Sequence, residues 1–579
     1  MPVEVVLPML GITVERGRIL KWHKAEGQKV KKGEILFEVE TEKVVTEVES
    51  PATGILARVL VPEGVEVPLL TVVGVILEET EEVLPDLGKE SLGPERLVQE
   101  PVEKKAGAPS PRSAVSWELA VLGGGPAGYA AAIRAAQRGA QVVLVEKESL
   151  GGTCLHRGCI PTKSFLWDVE LLRRVRDSQL LVGGHGVGLD LSRMVARKDQ
   201  VVARLHKGLE SLVQSLGVTV VSGAGELLDT RTLRVKANGQ EEIYGAGHII
   251  IATGSRPRGL AKVEVDGERI LFSDHLAAMK VVPERLVVIG GGAIGLEWAA
   301  IMKGLGAQVT ILEVLPRLLA QVDEEMGRIL ERALEEQGIR VLTQVQLKEV
   351  KAHGQEVEIG FVLNGESMNI GADQVLVAVG RQPNTEGIGV ERLGLDMDGP
   401  FIRVDSTMRS SVPWLYAAGD VIGGTMLAHA AFAEASVAVE NILGGSRQLD
   451  YSRVPRCVYT SPEVAWVGLT EAQAREQGYG VKVQRFPFGH NGKALAMGEP
   501  EGLVKIIAEE ELGQILGVCI LGANATELLG ECLVAMRLEA TVEELGDLIK
   551  PHPTLSEAIT EAAMAWTGRP LHMAGVHKP

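Results

Sequence analysis

A strand, a glycine-rich turn, a helix and a second strand follow one another twice in the chain, and this repeat constrains the fold more than any other feature. The first copy, WELAVLGGGPAGYAAAIRAAQRGAQVVLVEK, begins at Trp117, and the second, RLVVIGGGAIGLEWAAIMKGLGAQVTILEV, begins at Arg285. In both copies a glutamate follows the first glycine of the turn by 23 residues. This context is typical of a βαβ unit that binds a dinucleotide. The sequence therefore predicts two Rossmann-like α/β domains.

The residue types in the two units predict how a dinucleotide would be held. In each copy one glycine permits the tight turn, one lets the backbone approach a pyrophosphate, and one allows close packing of helix and strand. These glycines are Gly123, Gly125 and Gly128 in the first copy and Gly290, Gly292 and Gly295 in the second. Glu146 and Glu313 are placed to bind ribose hydroxyls, and because a carboxylate repels a 2′-phosphate, Glu313 favours NAD over NADP. The alternative is a pair of glycine turns that bind no ligand.

Two cysteines lie close together in GGTCLHRGCIPTK, directly after the first unit. Cys154 and Cys159 are five residues apart, which is about 140° around an ideal helix, so they can pair only where a helix begins or is distorted. The glycines and the proline of the motif favour such a start. A helix N-terminus and the nearby Lys163 would stabilise a thiolate. The alternatives are two buried free thiols or a zinc site, and the spacing disfavours zinc because a second Cys/His pair is missing. No metal site is predicted.

Composition and charge exclude several classes of protein. Five cysteines, an odd number, do not form the disulfide framework of a secreted domain, and Cys457, Cys519 and Cys532 are expected to be buried small hydrophobes. The opening MPVEVVLPML lacks the pattern of a secretory signal, and no apolar run reaches the roughly 18 residues that cross a bilayer. The net charge of -17 disfavours nucleic acid and anionic membranes as partners. We expect a cytoplasmic protein.

Later motifs add candidate site residues. KPHPTLSE places His552 near Glu557, which could orient the imidazole as a general base, although such a pair alone is also common on protein surfaces. Turns follow apolar strands in HIIIATGSRP, VLVAVGRQPNT and WLYAAGDVIGG. In the last of these, Asp420 is placed to accept a hydrogen bond from a ribityl hydroxyl. Each of these turns alone could be an ordinary strand end.

The chain ends differ in composition from the βαβ units. In residues 1–78, GRILKWHKAEGQKV (17–30) is similar to TGILARVLVPEGVEV (53–67), which predicts a small flattened β-sandwich of two related halves with Lys43 at the hairpin between them. Residues 79–114 are rich in Glu and Pro and predict a mobile linker, with ordered surface loops as the alternative. The final 130 residues or so mix strand and helix patterns and predict an α+β domain.

In their order and combination, these motifs resemble those of the flavoprotein pyridine nucleotide-disulfide reductases, most closely the dihydrolipoyl dehydrogenases. The resemblance covers about 117–566 and rests on VLGGGPAGYAAAIRAAQ, GGTCLHRGCIPTK, VIGGGAIGLEWA, VAVGRQPNT, LYAAGDV, MLAHAAFAE, VYTSPEVAWVGLTE and HPTLSE. It implies an FAD-binding domain in two parts, an NAD-binding domain and an α+β dimerisation domain. The expected ranges are 115–268 and 383–448 for FAD, 269–382 for NAD and 449–579 for dimerisation.

The resemblance also implies an activity, the oxidation of dihydrolipoamide to lipoamide with hydride transfer to NAD. Cys154 would exchange with the substrate, Cys159 would face the flavin, and the partner subunit of a homodimer would supply His552 and Glu557.

The resemblance further assigns cofactor contacts, and it pairs Lys163 with Glu297 beside the flavin. The residues expected to bind FAD are Gly123, Gly125, Gly128, Glu146, Lys163, Gly225, Thr253, Gly254, Ser255, Asp420, Met426, Leu427, Ala428 and His429. Those expected to bind NAD are Gly290, Gly292, Gly295, Glu297, Glu313 and Gly380.

Residues 1–78 resemble lipoyl domains, with Lys43 as the attachment site of a lipoyl group. Biotin carriers share the fold, but their lysine usually lies between two methionines, whereas Glu42 and Val44 flank Lys43. A plain lysine on a degenerate carrier is the alternative. Expected partners are lipoylated acyltransferases or carrier proteins of a 2-oxo acid dehydrogenase, acetoin or glycine-cleavage system.

Two rival functions and two departures from the family pattern accompany this interpretation. Another FAD/NAD(P) disulfide reductase is disfavoured by Glu313, and a lipoyl carrier or scaffold would not need the complete set of redox and base residues. His156 stands between the cysteines where Asn is frequent, and Lys550 and Pro551 replace a frequent His-Ala pair.

Overall fold

The computed structural model describes residues 2–7, 16–40, 45–68, 71–77, 116–178, 180–237, 239–261, 263–354 and 356–574. The chain divides into two units, Met1–Ala108 and Pro109–Pro579, and each is described by itself. Lys43 and the predicted linker 79–114 lie outside the described residues. No helix in the described ranges has both the length and the apolar character needed to cross a membrane.

The first unit is a sandwich of two four-stranded antiparallel sheets. Its strands are β1 (Pro2–Val6), β2 (Arg16–Trp22), β3 (Lys29–Val30), β4 (Ile35–Glu40), β5 (Val45–Glu49), β6 (Gly54–Val59), β7 (Glu66–Pro68) and β8 (Val72–Leu77). The sheet orders are β1-β8-β6-β3 and β5-β4-β2-β7. Exchanging β2 with β6, β3 with β7, β4 with β8 and β5 with β1 converts one order into the other. This pseudo-twofold relation is the structural counterpart of the sequence repeat, and it encloses a core that includes Ile19, Phe37, Leu56 and Ile76.

The second unit begins with the first glycine-turn domain. Its elements are β9 (Ser116–Leu122), α1 (Pro126–Gln137), β10 (Val142–Glu146), α2 (Gly152–His156), α3 (Cys159–Asp177), α4 (Leu191–Ser215), β11 (Thr219–Ser222), β12 (Ala224–Asp229), β13 (Thr232–Ala237), β14 (Gln240–Ile251) and β15 (Ser255–Pro257). The sheet order is β11-β10-β9-β14-β13-β12. Strands β11, β10, β9 and β14 are parallel, so their carboxyl ends meet at one edge, where ligands of such sheets bind.

The second glycine-turn domain follows. Its elements are β16 (Ile270–Leu271), α5 (Ser273–Leu276), β17 (Arg285–Ile289), α6 (Ala293–Gly304), β18 (Gln308–Leu312), α7 (Glu324–Glu336), β19 (Arg340–Leu342), β20 (Gln346–His353), β21 (Glu356–Leu363), β22 (Glu366–Ala372), β23 (Gln374–Val377) and β24 (Arg381–Pro383). Its parallel sheet has the order β16-β23-β17-β18-β19, and β20, β21 and β22 form a separate antiparallel sheet.

The chain then returns to the first domain. The returning elements are β25 (Met397–Asp398), β26 (Phe401–Ile402), β27 (Leu415–Ala417) and α8 (Ala428–Ile442). Strand β27 pairs in parallel with β14, which extends the first sheet. The first glycine-turn domain is therefore built from two separate parts of the chain.

The C-terminal region is an α+β domain, as the sequence predicts. Its elements are β28 (Arg456–Val458), β29 (Glu463–Gly468), α9 (Glu471–Glu476), β30 (Val481–Pro487), α10 (Gly492–Met497), β31 (Leu503–Glu509), β32 (Ile515–Gly522), α11 (Ala525–Arg537), α12 (Val542–Gly546) and α13 (Glu557–Met564). The antiparallel sheet order is β28-β29-β32-β31-β30. Short 3-10 turns occupy Gly184–Gly186, Val390–Arg392, Asp420–Ile422, Tyr451–Arg453, Phe488–His490 and Ala565–Thr567.

Candidate functional site

Cys154 and Cys159 form a disulfide, and their Cα atoms are 4.7 Å apart. Cys154 lies in the five-residue helix α2, and Cys159 is the first residue of α3. Arg157 and Gly158 interrupt the helix between them, and both of their N–H groups donate to the carbonyl of Thr153. The interruption removes the 140° separation of a continuous helix. The expectation that the two thiols pair only at a helix start is confirmed.

The disulfide segment packs directly against the first glycine turn. The N–H of Gly151 donates to the carbonyl of Gly124 over 2.8 Å. Gly152 has φ +56°, and a Cβ there would lie 2.7 Å from the Cα of Gly125. Only a glycine allows this approach, so the segment that carries Cys154 is held beside the dinucleotide-binding turn.

Lys163 forms an ion pair with Glu297 at 2.7 Å. Lys163 lies on α3, one turn after Cys159, and the Glu297 side chain on α6 is 7% exposed. The second carboxylate oxygen of Glu297 accepts the N–H of Tyr459 at 3.1 Å, and the Lys163 ammonium lies 4.4 Å from the centroid of the Tyr459 ring. Glu297 therefore joins the first and second glycine-turn domains and the C-terminal domain close to the disulfide.

A cavity of about 930 Å³ passes this centre, a size within the range of cofactor sites. Among the residues expected from the sequence, those that line it are Gly123, Gly125, Glu146, Cys154, Cys159, Lys163, Gly225, Thr253, Gly254, Ser255, Glu297, Asp420, Met426, Leu427 and Ala428. A Cβ built on Gly254 would meet nothing within 4 Å, and on Gly125 only the Cα of Gly152 at 3.9 Å, so the backbone faces open space at both positions. The donors, acceptors and room fit a flavin dinucleotide.

Glu146 and Glu313 each accept a hydrogen bond from the glycine turn of their own βαβ unit. The sequence analysis did not assign this role. Glu146 accepts the N–H of Gly124 at 2.6 Å and that of Glu148 at 2.7 Å. Glu313 accepts the N–H of Gly291 at 2.5 Å and that of Leu315 at 2.7 Å. Each carboxylate oxygen keeps a second lone pair for a ribose hydroxyl. The equal spacing of 23 residues in both units was the sequence signal of this shared geometry.

The segment around Asp420 is fixed by Ser255, which the sequence analysis expected at the site, and by Arg381, which it missed. Asp420 accepts a hydrogen bond from the Ser255 hydroxyl, and the Arg381 guanidinium lies 3.5 Å from the Asp420 carboxylate. Arg381 also donates to the Ser255 hydroxyl at 2.6 Å. This network connects the end of β27 with β15 and β24 and orients the carboxylate on the cavity wall.

A buried glutamate, Glu434, stabilises the segment that carries Asp420. Glu434 on α8 is 2% exposed and accepts the N–H of Gly419 at 2.7 Å and the hydroxyl of Tyr451 at 2.8 Å. Burial raises the pKa of Glu434, although its two donors partly oppose the increase. Burial and the neighbouring Glu434 also raise the pKa of Tyr451. An isolated Glu in the apolar AFAEASVAV was the signal that could have found it.

The remaining expected dinucleotide contacts do not line this cavity. Gly128 and Gly295 pack their helices against the turns, since a Cβ would lie 1.7 Å and 2.1 Å from carbonyl oxygens of Gly123 and Gly290. His429 is exposed and contacts the carbonyl of Pro455. The other expected residues outside the cavity lining are Gly290, Gly292, Glu313 and Gly380. Gly292 and Gly380 are exposed, and a Cβ at either would meet nothing within 4 Å, so the second turn is open for a ligand of its own.

His552 and Glu557 form the expected pair, with Nδ1 of His552 2.9 Å from Oε1 of Glu557. The other carboxylate oxygen accepts the N–H of Thr554 at 2.7 Å. Burial opposes ionisation of Glu557, but these two hydrogen bonds outweigh it and lower the pKa of the carboxyl. The His552 side chain is 74% exposed, and neither residue lines the cavity at Cys154 in a single chain.

The three other cysteines differ from one another. Cys519 and Cys532 are buried, as expected: Cys519 in the core that includes Trp298 of α6, and Cys532 in the core of the C-terminal domain. The expectation that Cys457 is buried is wrong, because this residue is only half-buried and lines the cavity. Its partial burial raises the pKa of its thiol to about 11. It is therefore a neutral thiol at physiological pH.

Comparison with known proteins agrees with this geometry. Residues 117–435 match the model of the pyridine nucleotide-disulphide oxidoreductases, residues 454–563 match the dimerisation domain of that family, and residues 3–76 match a model described as biotin-requiring enzyme, of biotin and lipoyl domains. The chain belongs to the pyridine nucleotide-disulphide oxidoreductase family. The predicted resemblance and the fold class, a lipoyl-type sandwich followed by two dinucleotide-binding domains and an α+β domain, are confirmed.

Curated relatives and solved structures match the same part of the oxidoreductase. A dihydrolipoyl dehydrogenase of Bacillus subtilis is 41% identical over 472 residues, which is 79% of this chain and 100% of the relative. A dihydrolipoyl dehydrogenase of Thermus scotoductus is 42% identical over 474 residues, 80% of this chain and 99% of the relative. The crystal structure of LpdA from Mycobacterium tuberculosis has a TM-score of 0.72 at 29% identity and covers 77% of this chain and 98% of its own. The HOCl-induced flavoprotein disulfide reductase RclA of Escherichia coli has a TM-score of 0.69 at 26% identity, over 77% and 99%.

Proposed function

We propose that this chain is a dihydrolipoyl dehydrogenase that uses FAD and NAD. The observation that carries the proposal is the Cys154–Cys159 disulfide on the wall of a cofactor-sized cavity, one helical turn from the Lys163–Glu297 ion pair. The relatives that carry this name match nearly their whole length. FAD, when bound, provides the route by which two electrons pass from the dithiol to NAD as a hydride.

The two sulfurs provide the exchange chemistry. A thiolate of dihydrolipoamide attacks the sulfur of Cys154, the Cys154–Cys159 bond breaks, and Cys159 leaves as a thiolate. The second thiol of the substrate then loses its proton and attacks the substrate sulfur that is bonded to Cys154, which closes the lipoamide disulfide, breaks the mixed disulfide and releases Cys154 as a thiolate. The positive charge of Lys163, near the N-terminus of α3, favours the Cys159 thiolate.

A base must take the substrate protons, and we propose that His552 does so from a second copy of the chain. Its contact with Glu557 fixes the ring and stabilises the imidazolium that forms. Because His552 is exposed and lies off the Cys154 cavity of its own chain, a homodimer would bring it to the cavity of the other copy. The matched dimerisation domain supports this arrangement.

We propose that the enzyme is cytoplasmic. We further propose that NAD rather than NADP binds the second glycine turn. Glu313 is 7% exposed and its carboxylate is held by two backbone N–H groups, so it cannot easily turn away from a 2′-phosphate. Steady-state kinetics with each nucleotide test the proposal, and a higher kcat/KM with NADP would contradict it.

Lys43 is proposed to carry a lipoyl group, supported by the match of residues 3–76 and by the flanking Glu42 and Val44. The carrier would exchange with lipoate-dependent acyltransferases or carrier proteins of a 2-oxo acid, acetoin or glycine-cleavage system. Peptide mass spectrometry after expression with lipoate should find one lipoyl amide on Lys43 and none in Lys43→Arg. A biotinyl or unmodified Lys43 under these conditions would overturn this part.

The activity is tested by mixing the purified protein with dihydrolipoamide and NAD and following NADH formation. Cys154→Ser should abolish turnover, because the exchange needs both sulfurs. Cys532→Ala, at a buried thiol that does not line the cavity, serves as the thiol control. Turnover of dihydrolipoamide by Cys154→Ser at the wild-type rate would contradict the disulfide route. Reduction of glutathione disulfide with NADPH, but not dihydrolipoamide oxidation, would favour another disulfide reductase.

A further inference from the structure

Two histidine side chains donate to one backbone carbonyl beside the redox disulfide. Nε2 of His156 lies 2.8 Å and Nδ1 of His206 lies 3.0 Å from the oxygen of Leu150. The two rings meet edge to face with their centroids 5.0 Å apart. His156 lies between the two redox cysteines and lines the cavity, whereas His206 lies on α4.

The carbonyl that receives both donors is itself fixed. The side chain of Leu150 is buried in the core beneath the first glycine turn, and the next residue, Gly151, is hydrogen-bonded to Gly124. His156 is the last residue of α2, so its ring reaches back over the whole helix to a point just before it begins. The contact closes a loop that contains Cys154.

The carbonyl accepts but cannot donate, so a proton must lie on Nε2 of His156 and on Nδ1 of His206. Nε2 of His206 lies 3.2 Å from the carboxylate of Glu210, one turn further along α4. The carbonyl of Leu150 is thereby connected through His206 to a 25-residue helix. These contacts connect α2 to α4.

We propose that His156 and His206 are positioning residues for the Cys154–Cys159 pair. By holding α2 after the disulfide is reduced, they keep the two thiols at the distance from which the bond closes again. The effective concentration of one thiol at the other sets the stability of a disulfide, so this arrangement makes the bond harder to reduce. The inference rests on the proposed disulfide exchange, but it concerns how strongly the bond is held.

The test equilibrates the purified holoenzyme with mixtures of dithiothreitol and its cyclic disulfide. Dithiothreitol gives two electrons and two protons to the cysteine pair and closes its own disulfide, and alkylation with mass spectrometry measures the reduced fraction of Cys154 and Cys159. Loss of one neutral hydrogen bond corresponds to about three- to tenfold in an equilibrium constant. His156→Phe and His206→Leu are each expected to raise the equilibrium constant for reduction by that factor, which at tenfold is about 30 mV.

Conservative variants separate the donor from the shape of the ring. Gln carries its amide nitrogen near the place of Nε2 and Asn near that of Nδ1, so His156→Gln and His206→Asn should restore most of the wild-type equilibrium. The double variant His156→Phe/His206→Leu should change it by less than the product of the two single changes, because both donors act on one carbonyl. His353→Gln, on the exposed hairpin of β20 and β21, is the matched control.

An unchanged equilibrium in both single variants would overturn the inference, and so would equal changes in the Phe and Gln variants. If His156→Phe does not fold, His206→Leu decides alone, since α4 is long and this side chain is 25% exposed. The measurement needs neither dihydrolipoamide nor NAD. If the proposed activity is not found, the reduction equilibrium of the two cysteines can still be measured. If the equilibrium does not change in the variants, the proposed activity is not contradicted.

Discussion

Lys163 and Glu297, 134 residues apart in sequence, are joined by a hydrogen bond of 2.7 Å between helices of two different domains. Lys163 lies on the cavity wall one helical turn after Cys159, and Glu297 is its counter-ion. The carboxylate also accepts a backbone N–H of the third domain. The pair therefore couples the geometry of the disulfide to the packing of the domains.

Replacing Glu297 with Gln should lower the free energy of unfolding by about 1–3 kcal/mol, since a charged hydrogen bond is lost and the one-third-exposed lysine keeps part of its solvation. Denaturant unfolding of the holoenzyme measures the change. The exposed pair of Glu324 and Arg328 provides the control, and Glu324→Gln should cost no more than about 0.5 kcal/mol. Equal losses in the two variants would contradict the role of Glu297.

Gly152→Ala should loosen the contact between the disulfide segment and the glycine turn. The residue has φ +56° and its new Cβ would approach the Cα of Gly125 to 2.7 Å, so backbone strain and a clash add together. We expect a loss of about 2–4 kcal/mol of stability and a lower ratio of flavin to protein after purification. Gly183→Ala, with φ +81° and open space around its Cβ, should show the strain without the loss of flavin. Full flavin content in Gly152→Ala would contradict the prediction.

Glu434→Gln should change how stability depends on pH. Because burial raises the pKa of Glu434, its favourable protonated state is fully present below the unfolded-state pKa of about 4.3, and its contribution is lost as pH rises through the folded-state pKa. The amide does not titrate, so the stability of the variant relative to wild type should improve as pH rises from about 4 and become constant once the folded-state pKa of Glu434 is passed. Urea unfolding across this range measures it.

Glu440, on the same helix but with its side chain 37% exposed, is the matched control for that series. Glu440→Gln should leave the pH dependence of stability as it is in wild type. A constant offset between Glu434→Gln and wild type at every pH would show that Glu434 does not titrate in this range.

Local patterns were sufficient to predict the two glycine turns, the paired cysteines and the contact of His552 with Glu557. In each of these the interacting residues lie within a few turns or one βαβ unit, where spacing determines geometry. The partners of Asp420, namely Ser255 and Arg381, come from distant strands, and no periodicity connects them. Glu297 was assigned only through the family resemblance, for the same reason.

His156 is a second case in which the sequence could not predict the contact of a side chain. The sequence showed that it departs from a frequent Asn, but its contact depends on His206, which is 50 residues away on a helix with no distinctive motif. Neither the shared carbonyl of Leu150 nor the direction of the ring follows from spacing. Only the packing of α4 against the disulfide segment reveals the pair.

His552→Gln should lower kcat for dihydrolipoamide oxidation by about 10²- to 10⁴-fold, the range for loss of a general base. Glu557→Gln should have a smaller effect, about tenfold, because the ring keeps a hydrogen-bond partner but loses the ionised one. The lowered pKa of Glu557 means that this negative charge is present throughout the neutral range, so the loss should be visible there. Stopped-flow and steady-state kinetics at neutral pH measure both.

His572 provides a closely similar control. Its Nδ1 lies 2.7 Å from Glu561, which is one turn after Glu557 on α13. The His572 side chain, like that of His552, is largely exposed. His572→Gln removes an imidazole that makes the same kind of contact with a glutamate of the same helix. If exposure and a carboxylate partner were enough for catalysis, both histidines would matter equally. If instead position relative to the disulfide of the second copy decides, only His552→Gln should lose turnover, and equal losses in the two variants would contradict the assignment of the base.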